Sequence, residues 1–395
     1  MRAAVGLEAE LSLYVDDELV RPELIFGSPK DFIRGPLVHR MGSSYQLPSG
    51  AVVYFDTGVI EIATPPVELE RGCVARAGRS LWEAICFVRG ELTAWEIQAG
   101  RRCRLAGFST HYNVSIDGND GDRDESRLSA LARVLTYILP VPVMILATNR
   151  KSTGVGVRPR GDRVEVTADF TPDPALMIAA GSFIAGVVRE VARWPVLTLD
   201  ELDRRRLPRI RAFEPIPHTS RKGWLARVDC YPENPITGDL DAPTWQLERD
   251  ATTLVSLRDI ARAIFRQFVR PVARVADPLS LRTIRAVLGG SSASLLDRRE
   301  RPREYDDVGR LCSWQPRFSR PVLRPSRFER VVLHALAGDK LRLEGETHTP
   351  TGMDGWARVA FRRDADGKRV TVPLEELVEQ LPEWSSGGLK ASGYR

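Results

Sequence analysis

The sequence lacks several patterns that would place it in a specialised class of protein. Its five cysteines are scattered without C-x-x-C spacing, which argues against structural zinc and a disulfide framework and suits a reducing cytosol. The longest apolar run, Leu135–Ala147, is too short to span a bilayer, so we expect no membrane segment and interpret the run as a buried helix-to-strand passage. The first strand pattern follows directly after Met1–Ala4, so no signal peptide is expected and the cytoplasm is the predicted location.

The chain also has only a small excess of positive over negative charge. The chain has 57 Lys and Arg against 52 Asp and Glu, a formal net charge of +5, which an arginine-rich proteome explains more simply than anionic ligands do. The charged stretch Asp297–Asp307 contains no aromatic residue until Tyr305, so it offers no stacking platform for nucleic acid, and we do not expect a nucleic-acid partner. With 395 residues, 43% of them hydrophobic, the chain is long enough for a soluble enzyme of two domains.

The first strand-like stretch carries two carboxylates on one face. Val5–Tyr14 alternates apolar and polar residues with the period of two that is typical of a half-buried strand. Glu8 and Glu10 therefore project from the same face, roughly 7 Å apart along the strand. Taken alone, this pattern is also typical of an ordinary solvated strand face.

Three later segments add further polar groups in strand-like patterns. They are Val52–Pro66, Thr110–Ile116 and Arg163–Asp169. The polar residues that interrupt an apolar run or share one face are Glu61 in the first segment, His111, Asn113 and Ser115 in the second, and Arg163, Glu165 and Thr167 in the third. If the four strands are neighbours, their acidic residues converge on one face of a sheet.

Such a cluster requires cations. Two carboxylates about 5 Å apart repel each other by roughly 3 kcal/mol at an effective dielectric constant near 20. Carboxylate oxygens suit Mg²⁺, which keeps open positions for water and phosphate oxygens, and a histidine among carboxylates also suits Mn²⁺. An arginine on the same face would neutralise phosphate oxygens. The four segments together therefore predict a metal–nucleotide site laid across a sheet.

These residues resemble motifs of a known superfamily, the glutamine synthetase-like carboxylate–amine ligases. Gly6–Glu10 is similar to the G-x-E-x-E opening strand of that superfamily. Gly50–Asp56 and Glu61–Pro65 resemble a segment of its Pup ligase and depupylase branch. His111–Asn113 is similar to the H-E-N of that branch, and Arg163–Glu165 resembles the R-x-E of glutamine synthetases.

The resemblance extends over roughly residues 1–195. Asp169–Ala180 resembles the helix start of the family, with Asp173 at the position of the motif's asparagine. Two departures concern the substrate more than the nucleotide: Thr167 stands where R-x-E-x-R has a second arginine, and Arg158–Asp162 replaces a longer segment rich in arginine and histidine.

The resemblance implies an α+β fold in two domains. We expect a glutamine synthetase-like antiparallel sheet with helices packed on one face in residues 1–323, and a small C-terminal β-rich domain in residues 324–395. The helices predicted from the sequence are Val67–Glu91, Glu125–Leu139, Pro174–Trp194, Asp200–Arg206, Thr252–Val272, Pro278–Leu288 and Leu374–Gln380. The strands predicted in the C-terminal part are Arg330–Ala335, Lys340–Glu344, Trp356–Arg363 and Arg369–Val372, with a turn at Thr351–Gly355. The segments predicted to be irregular are a polar turn at Asp117–Asp124, a long loop at Pro215–Pro243 that is a candidate for substrate contact, and a mobile tail at Ser385–Arg395.

The resemblance also implies an activity, cofactors and partners. The implied enzyme is an ATP- and Mg²⁺-dependent ligase, with Mn²⁺ as an alternative ion, which joins a carboxylate to an amine through an acyl phosphate. The carboxylate or the amine could belong to a small protein modifier or a protein lysine, and relatives often form oligomers. The implied metal ligands are Glu8, Glu10, Glu61, His111 and Glu165. The residues implied to bind nucleotide or phosphate are Asn113, Arg150, Lys151 and Arg160, with Arg163 stabilising charge and Asp56 acting as base.

Alternatives remain open at the level of sequence. The same site would serve a depupylase-like amide hydrolase or a catalytically silent nucleotide-binding scaffold. Asp56 is also suited to capping the turn before Gly58, and the loop that holds Arg150 and Lys151 could be a basic surface turn. His334 and His348 are interpreted as structural or surface residues.

Overall fold

A computed structural model describes residues 3–39, 44–116, 125–218, 221–311 and 320–385. Its helices are α1 Pro22–Phe26, α2 Cys73–Ala99, α3 Glu125–Ile138, α4 Pro140–Ala147, α5 Pro174–Val191, α6 Leu199–Arg204, α7 Leu257–Val275, α8 Pro278–Gly289, α9 Arg327–Ala337 and α10 Leu374–Ser385. The predicted turn Asp117–Asp124 and the predicted tail after residue 385 lie outside the described residues.

The strands form three antiparallel sheets. They are β1 Ala4–Val15, β2 Glu18–Val20, β3 Val38–His39, β4 Tyr45–Gln46, β5 Val52–Asp56, β6 Val59–Ala63, β7 Val67–Glu68, β8 Cys103–Ser115, β9 Gly154–Arg160, β10 Arg163–Asp169, β11 Ile216–Pro217, β12 Trp224–Arg227, β13 Trp245–Leu247, β14 Asp250–Val255, β15 Leu341–Leu343, β16 Glu346–Asp354, β17 Arg358–Arg363 and β18 Arg369–Pro373. The largest sheet has twelve strands in the order β11-β12-β9-β10-β8-β1-β6-β5-β4-β3, with β2 and β7 also paired to β1. β13 pairs with β14, and β15 to β18 form a four-stranded sheet.

Helices cover one face of the large sheet, as predicted. A Cβ atom on Gly181 of α5 would lie 2.7 Å from Val74 Cγ1 of α2 and 3.1 Å from Tyr112 Cδ1 of β8, so only glycine lets these three elements approach so closely. Asp173 caps α5 as expected, because its Oδ1 accepts hydrogen bonds from the backbone N–H groups of Ala175 and Leu176. Tyr112 is fully buried on this covered face. His111, the preceding residue of the same strand, therefore faces the opposite, polar side.

The most apolar helix belongs to this covered face. α5 is long and apolar enough to cross a membrane, but 78% of its residues are buried inside the fold, so we interpret it as a core helix. α3 and α4 together pass the same test but are bent by 60° at the break between them.

Several predicted boundaries in the first 150 residues are wrong. The predicted helix Val67–Glu91 begins with a strand, β7, which pairs with β1, and its helical part starts only at Cys73. The predicted helix-to-strand passage at Leu135–Ala147 is instead the end of α3 followed by α4. Every residue of α4 is buried, and a short, wholly apolar run does not distinguish a buried helix from a buried strand.

Other corrections concern the later part of the chain. The predicted loop Pro215–Pro243 contains β11 and β12, which extend the large sheet. The predicted helix Thr252–Val272 starts with residues of β14, and α7 begins after Ser256, whose hydroxyl caps the Asp259 N–H. The predicted turn Thr351–Gly355 lies largely in β16.

The predicted strand Arg330–Ala335 is part of helix α9. Ser326 and Glu329 form a reciprocal capping box, in which the Ser326 hydroxyl accepts from Glu329 N–H at 3.2 Å and the Glu329 carboxylate accepts from Ser326 N–H at 2.6 Å. Buried apolar side chains from α9 to α10 form a cluster of their own, which also includes Ala4 of β1. The division into domains at residues 323 and 324 stays a prediction.

Candidate metal site on the polar face of the sheet

Strand register brings the predicted site residues together. β10, β8, β1 and β6 are consecutive neighbours in the large sheet. Across these strands Glu8 lies opposite His111, and Glu10 lies opposite Glu61. Glu165 lies opposite Asn113, one strand further along. The four polar segments therefore share one sheet face, as the sequence predicted.

His111 lies at the centre of the acidic group. Its Nδ1 is 3.2 Å from Glu8 Oε2, and its Nε2 is 3.6 Å from Glu10 Oε1. The Ser109 hydroxyl also donates a hydrogen bond to Glu10 Oε2 at 2.5 Å. Ligand atoms of Glu8, His111 and Glu165 lie within 4.8 Å of one another, and so do those of Glu10, Glu61 and His111. All five predicted metal ligands thus belong to two overlapping groups that share the imidazole.

Burial and mutual repulsion set the protonation of this cluster. Glu61 is 3% exposed, and burial together with the charge of Glu8 raises the pKa of its carboxyl to about 8. Burial opposes charge on His111, but hydrogen bonding to Glu8 and the charge of Glu10 raise the pKa of the imidazole. Burial likewise opposes charge on Glu8, yet the hydrogen bond from His111 lowers the pKa of that carboxyl. The metal-free cluster therefore holds protons that a bound cation would displace.

The hydroxyl of Tyr54 belongs to the same cluster, although the sequence analysis did not select it. Tyr54 lies opposite Glu61 on β5 and hydrogen-bonds to its carboxyl, and burial raises the pKa of the phenol. Alternation along Val52–Asp56 was the available signal, because it places Tyr54 and Asp56 on one face.

Two arginines neutralise Glu165. Arg158 and Arg160, on the adjacent strand β9, both form ion pairs with its carboxylate, the Nε of Arg160 lying 3.2 Å from Oε2. Arg158 is 6% exposed, and burial lowers the pKa of its guanidinium. Sequence analysis selected Arg160 but missed Arg158, whose position directly opposite Glu165 depends on strand pairing.

Asn113 and Arg163 form a polar pair at one end of the cluster. The Nε of Arg163 donates to Asn113 Oδ1 at 2.8 Å. The amide Nδ2 of Asn113 is buried and has no hydrogen-bond partner within the described part of the chain. A buried donor without a partner costs free energy, so this atom suits a ligand acceptor. Together with the oxygen and imidazole donors of the cluster, it fits a Mg²⁺- or Mn²⁺-bound phosphate compound.

The loop after α4 carries two cations with different contacts among the described residues. Arg150 donates to the carbonyls of Leu296 at 2.8 Å and Thr237 at 3.3 Å, so its guanidinium holds the loop against neighbouring segments. Lys151 is exposed and lines a cavity of about 330 Å³. The two cations predicted to bind phosphate thus have different surroundings.

The cavity beside Lys151 opens at the Ser109 end of the cluster. Its further lining includes Arg301 and Asp169. Asn149 donates to Asp169 Oδ2 from both its backbone and its side-chain nitrogen, but burial raises the pKa of this carboxyl to about 6. The sequence analysis missed Arg301, which reaches the cavity from a connector about 190 residues after Gly107, to whose carbonyl it donates.

Asp56 lies at the end of β5, close to a guanidinium group from another part of the sheet. Arg221 Nη2 is 3.9 Å from Asp56 Oδ2, and the Thr57 hydroxyl donates to Oδ1 at 2.7 Å. Arg221 belongs to the short β11–β12 connection, which His218 and Gly223 close with a backbone hydrogen bond of 3.0 Å.

This contact implies a strongly curved sheet. Five strands separate β12 from β5, and in a flat sheet the two would lie about 29 Å apart at the usual spacing of 4.8 Å. Neither the short connection nor an arginine side chain covers that distance. The sheet therefore curves around its polar face, which brings the end of β5 close to the β11–β12 connection.

This architecture is similar to that of a solved structure over almost the whole chain. A crystal structure of the prokaryotic ubiquitin-like protein Pup in complex with its ligase PafA superposes with a TM-score of 0.57 at 12% sequence identity. The alignment covers 99% of this chain and 96% of that chain. No family model matches the sequence, and no curated protein matches it. The match confirms the resemblance to the Pup ligase branch at the level of the fold.

Proposed function

Because the chain shares the fold of a Pup ligase, we propose that it is an ATP- and Mg²⁺-dependent carboxylate–amine ligase. The proposed reaction transfers the γ-phosphoryl group of ATP to a substrate carboxylate, and an amine then displaces phosphate from the acyl phosphate to form an amide or isopeptide bond. One observation carries the proposal: Glu8, Glu10, Glu61, His111 and Glu165 converge on the polar face in two overlapping groups of ligand atoms.

The acidic cluster would hold the metal. Glu8, Glu10, Glu61, His111 and Glu165 are the proposed ligands. A bound Mg²⁺ ion would neutralise phosphate oxygens and align the phosphoryl group for in-line transfer. Arg158 and Arg160 balance the charge of Glu165 before binding and would turn to phosphate oxygens when a cation replaces them.

The remaining polar groups divide between the two ends of the cluster. Asn113, through its unpaired Nδ2, and Arg163 would bind the nucleotide at one end. Lys151 and Arg301 would hold the substrate carboxylate in the cavity at the other end. Arg150 would act indirectly by fixing the loop that carries Lys151.

Asp56 is the proposed base. Its carboxylate is 41% exposed, so an incoming amine can reach it, and the guanidinium of Arg221 lies beside it. By accepting a proton from the attacking ammonium, Asp56 would make the nitrogen lone pair available. The solved complex of Pup with its ligase supports a small protein modifier as a partner. We propose that the modifier supplies the carboxylate and that a protein lysine supplies the amine.

Nucleotide turnover by the purified protein with Mg²⁺ tests the proposal. We would compare wild type with Glu8→Ala and Asp56→Asn, and use Asp354→Asn, an exposed site on β16, as control. ADP release that requires added carboxylate and amine, and that disappears in both site variants but not in the control, is the expected result.

Two other outcomes replace the ligase with another function. Amide cleavage that needs nucleotide and is lost in Asp56→Asn would identify an amide hydrolase. ATP binding without turnover under any added substrate would identify a catalytically silent scaffold. A wild-type protein that neither binds nor hydrolyses ATP would refute the metal–nucleotide site itself.

A further inference from the structure

Two helices far from the acidic cluster carry a surface of exposed arginines. On α7, Arg266, Arg270 and Arg274 are exposed and spaced four residues apart, so they occupy successive turns of one side. On α8, Arg282 and Arg285 are exposed as well. We call these five residues the arginine surface.

The two helices lie side by side, and their arginines occupy similar positions along the helix axes. Only Ala276 and Asp277 separate α7 from α8, which makes the helices antiparallel neighbours. Arg262 Nη2 near the start of α7 donates to the carbonyl of Gly289 at the end of α8 at 3.1 Å. This register places Arg266 level with Arg285. The arginine surface is therefore one continuous feature of the helix pair.

The charge of this feature is not balanced locally. Residues 257–290 contain seven arginines and two aspartates, a net charge of +5, equal to the formal net charge of the whole chain. Both aspartates serve as helix caps: Asp259 accepts from Ser256 N–H, and Asp277 accepts from the first N–H groups of α8. Within the described ranges, no member of the arginine surface forms an ion pair.

Such an arrangement is unfavourable unless a partner uses it. Like charges four residues apart on a helix destabilise it by about 0.2–0.5 kcal/mol per pair, and α7 has two such pairs on the arginine surface. By contrast, Arg209 forms two hydrogen bonds to Asp203, and Arg363 pairs with Glu346 and Asp366. These two arginines have counter-charges, whereas within the described ranges the arginines of α7 and α8 on this surface have none.

The arginine surface also faces away from the acidic cluster. A Cβ on Gly186 of α5 would lie 2.6 Å from Val272 Cα, so α7 packs directly on α5, whose other side covers the sheet. The exposed side of α7 is therefore separated from the polar face by the helical layer and the sheet. The arginine surface is therefore separate from the acidic cluster, and a function of this surface would not depend on the proposed ligase activity.

We propose that the arginine surface docks an acidic amphipathic helix of a partner protein. Guanidinium groups bind carboxylates in a bidentate geometry, and carboxylates on successive turns of a helix repeat at the same spacing as the arginines of α7. Apolar side chains lie among the cations: Val269 and Leu281 are only partly buried, and Leu279 is 45% exposed. An amphipathic helix would cover this apolar surface, whereas a phosphate backbone would use the arginines alone.

Binding of a designed probe tests the proposal. The probe is a fluorescent helical peptide of about 20 residues, which spans the surface, with leucines on one side and glutamates flanking them. The triple variant R266E/R270E/R274E should weaken peptide binding at least tenfold, since each substitution replaces an attraction by a repulsion. The control variant R358E/R362E/R369E changes the charge equally on exposed strand positions of the C-terminal sheet and should bind like wild type.

The outcomes separate the classes of partner. If both triple variants lost the same amount of peptide affinity, or if wild type did not bind the peptide, a specific docking surface would be refuted. Tighter binding of a duplex DNA of the same length, lost in R266E/R270E/R274E, would replace the acidic helix with nucleic acid. A scrambled peptide of the same composition that binds as well as the probe would show that charge alone acts and would refute the amphipathic partner. Thermal melts of all variants confirm that they remain folded, and ADP release measures the ligase separately.

Discussion

His111 lies directly opposite Glu8 across the β1–β8 pairing, with Nδ1 3.2 Å from Oε2. The contact ties the first strand of the chain to a strand 100 residues later at the centre of the acidic cluster. It also couples the protonation of the imidazole to that of the carboxylate, since each stabilises the charged form of the other.

Stability of the metal-free protein should fall as pH rises. The pKa of Glu61 is raised from 4.5 to about 8, so the folded state keeps a proton that the unfolded state has lost. The contribution of protonated Glu61 to the free energy of unfolding is complete below the unfolded pKa of 4.5, and it disappears as pH rises through about 8. The raised pKa of His111 acts in the same direction.

Bound Mn²⁺ should reverse this trend, because coordination requires an ionised Glu61 and an unprotonated nitrogen on His111. The increase in melting temperature on adding Mn²⁺ should therefore be larger above pH 8 than at pH 6. Glu61→Gln should remove most of this pH dependence. An equal metal effect at both pH values, or an unchanged pH dependence in Glu61→Gln, would contradict the assignment.

Removing the charge of Glu165 should destabilise the fold. Glu165→Gln leaves the buried guanidinium of Arg158 without its counter-ion, which typically costs about 3 kcal/mol in unfolding free energy. The matched control is Glu346→Gln, whose partner Arg363 lies near the surface and also pairs with Asp366, and its cost should be much smaller because solvent screens this ion pair. Urea unfolding measures the unfolding free energy of both variants. Similar decreases in the two would mean that Arg158 is well solvated.

Close helix packing makes Gly186 sensitive to a single methyl group. A Cβ there would lie 2.6 Å from the backbone of α7 at Val272, so Gly186→Ala should lower the unfolding free energy by about 1–3 kcal/mol. Gly90, in the middle of α2, has no atom within 4 Å of the corresponding position. Gly90→Ala should therefore raise stability by about 0.5–1 kcal/mol, because alanine favours helix. The denaturant midpoint should shift down in Gly186→Ala and up in Gly90→Ala relative to wild type. Equal shifts in the two variants would argue against the close α5–α7 contact.

If the proposed ligase reaction is correct, Arg221 should matter more than its neighbour. Arg221→Ala removes the cation next to Asp56 and should lower the rate of ADP release by about tenfold or more. Lys222→Ala removes a neighbouring exposed cation, paired with Glu125, and should leave that rate nearly unchanged. Equal rates in the two variants would show that the Asp56–Arg221 contact plays no part in turnover.

The sequence predicted the acidic cluster because period-two alternation is strictly local. Glu8 and Glu10 must share a face of β1 whatever the fold, and strand pairing then only has to bring four such faces together. The alternation of one strand does not predict which residue of the adjacent strand lies opposite each of its positions. Arg158 next to Glu165 and Tyr54 next to Glu61 follow from pairing register, and Arg301 follows from a connector that packs far from its sequence neighbours.

The errors in secondary structure have different physical causes. α4 is buried on all sides, so its apolar run has no polar period to distinguish helix from strand. At Ser326 the capping box was available in the sequence, but Arg330–Ala335 is short and mostly apolar, and such a run does not distinguish a strand from a helix. The short strands β7, β11 and β12 are held by pairing partners rather than by their own sequence, so no local pattern predicts them.

The meeting of Asp56 and Arg221 over the curved sheet restricts what can approach the acidic cluster. The 3.9 Å contact joins the end of β5 to the β11–β12 connection, so it bridges two strands that five others separate. If the proposed ligase reaction is correct, a protein substrate has to reach the cluster past this contact, and an extended end of a chain would do so more readily than a folded domain.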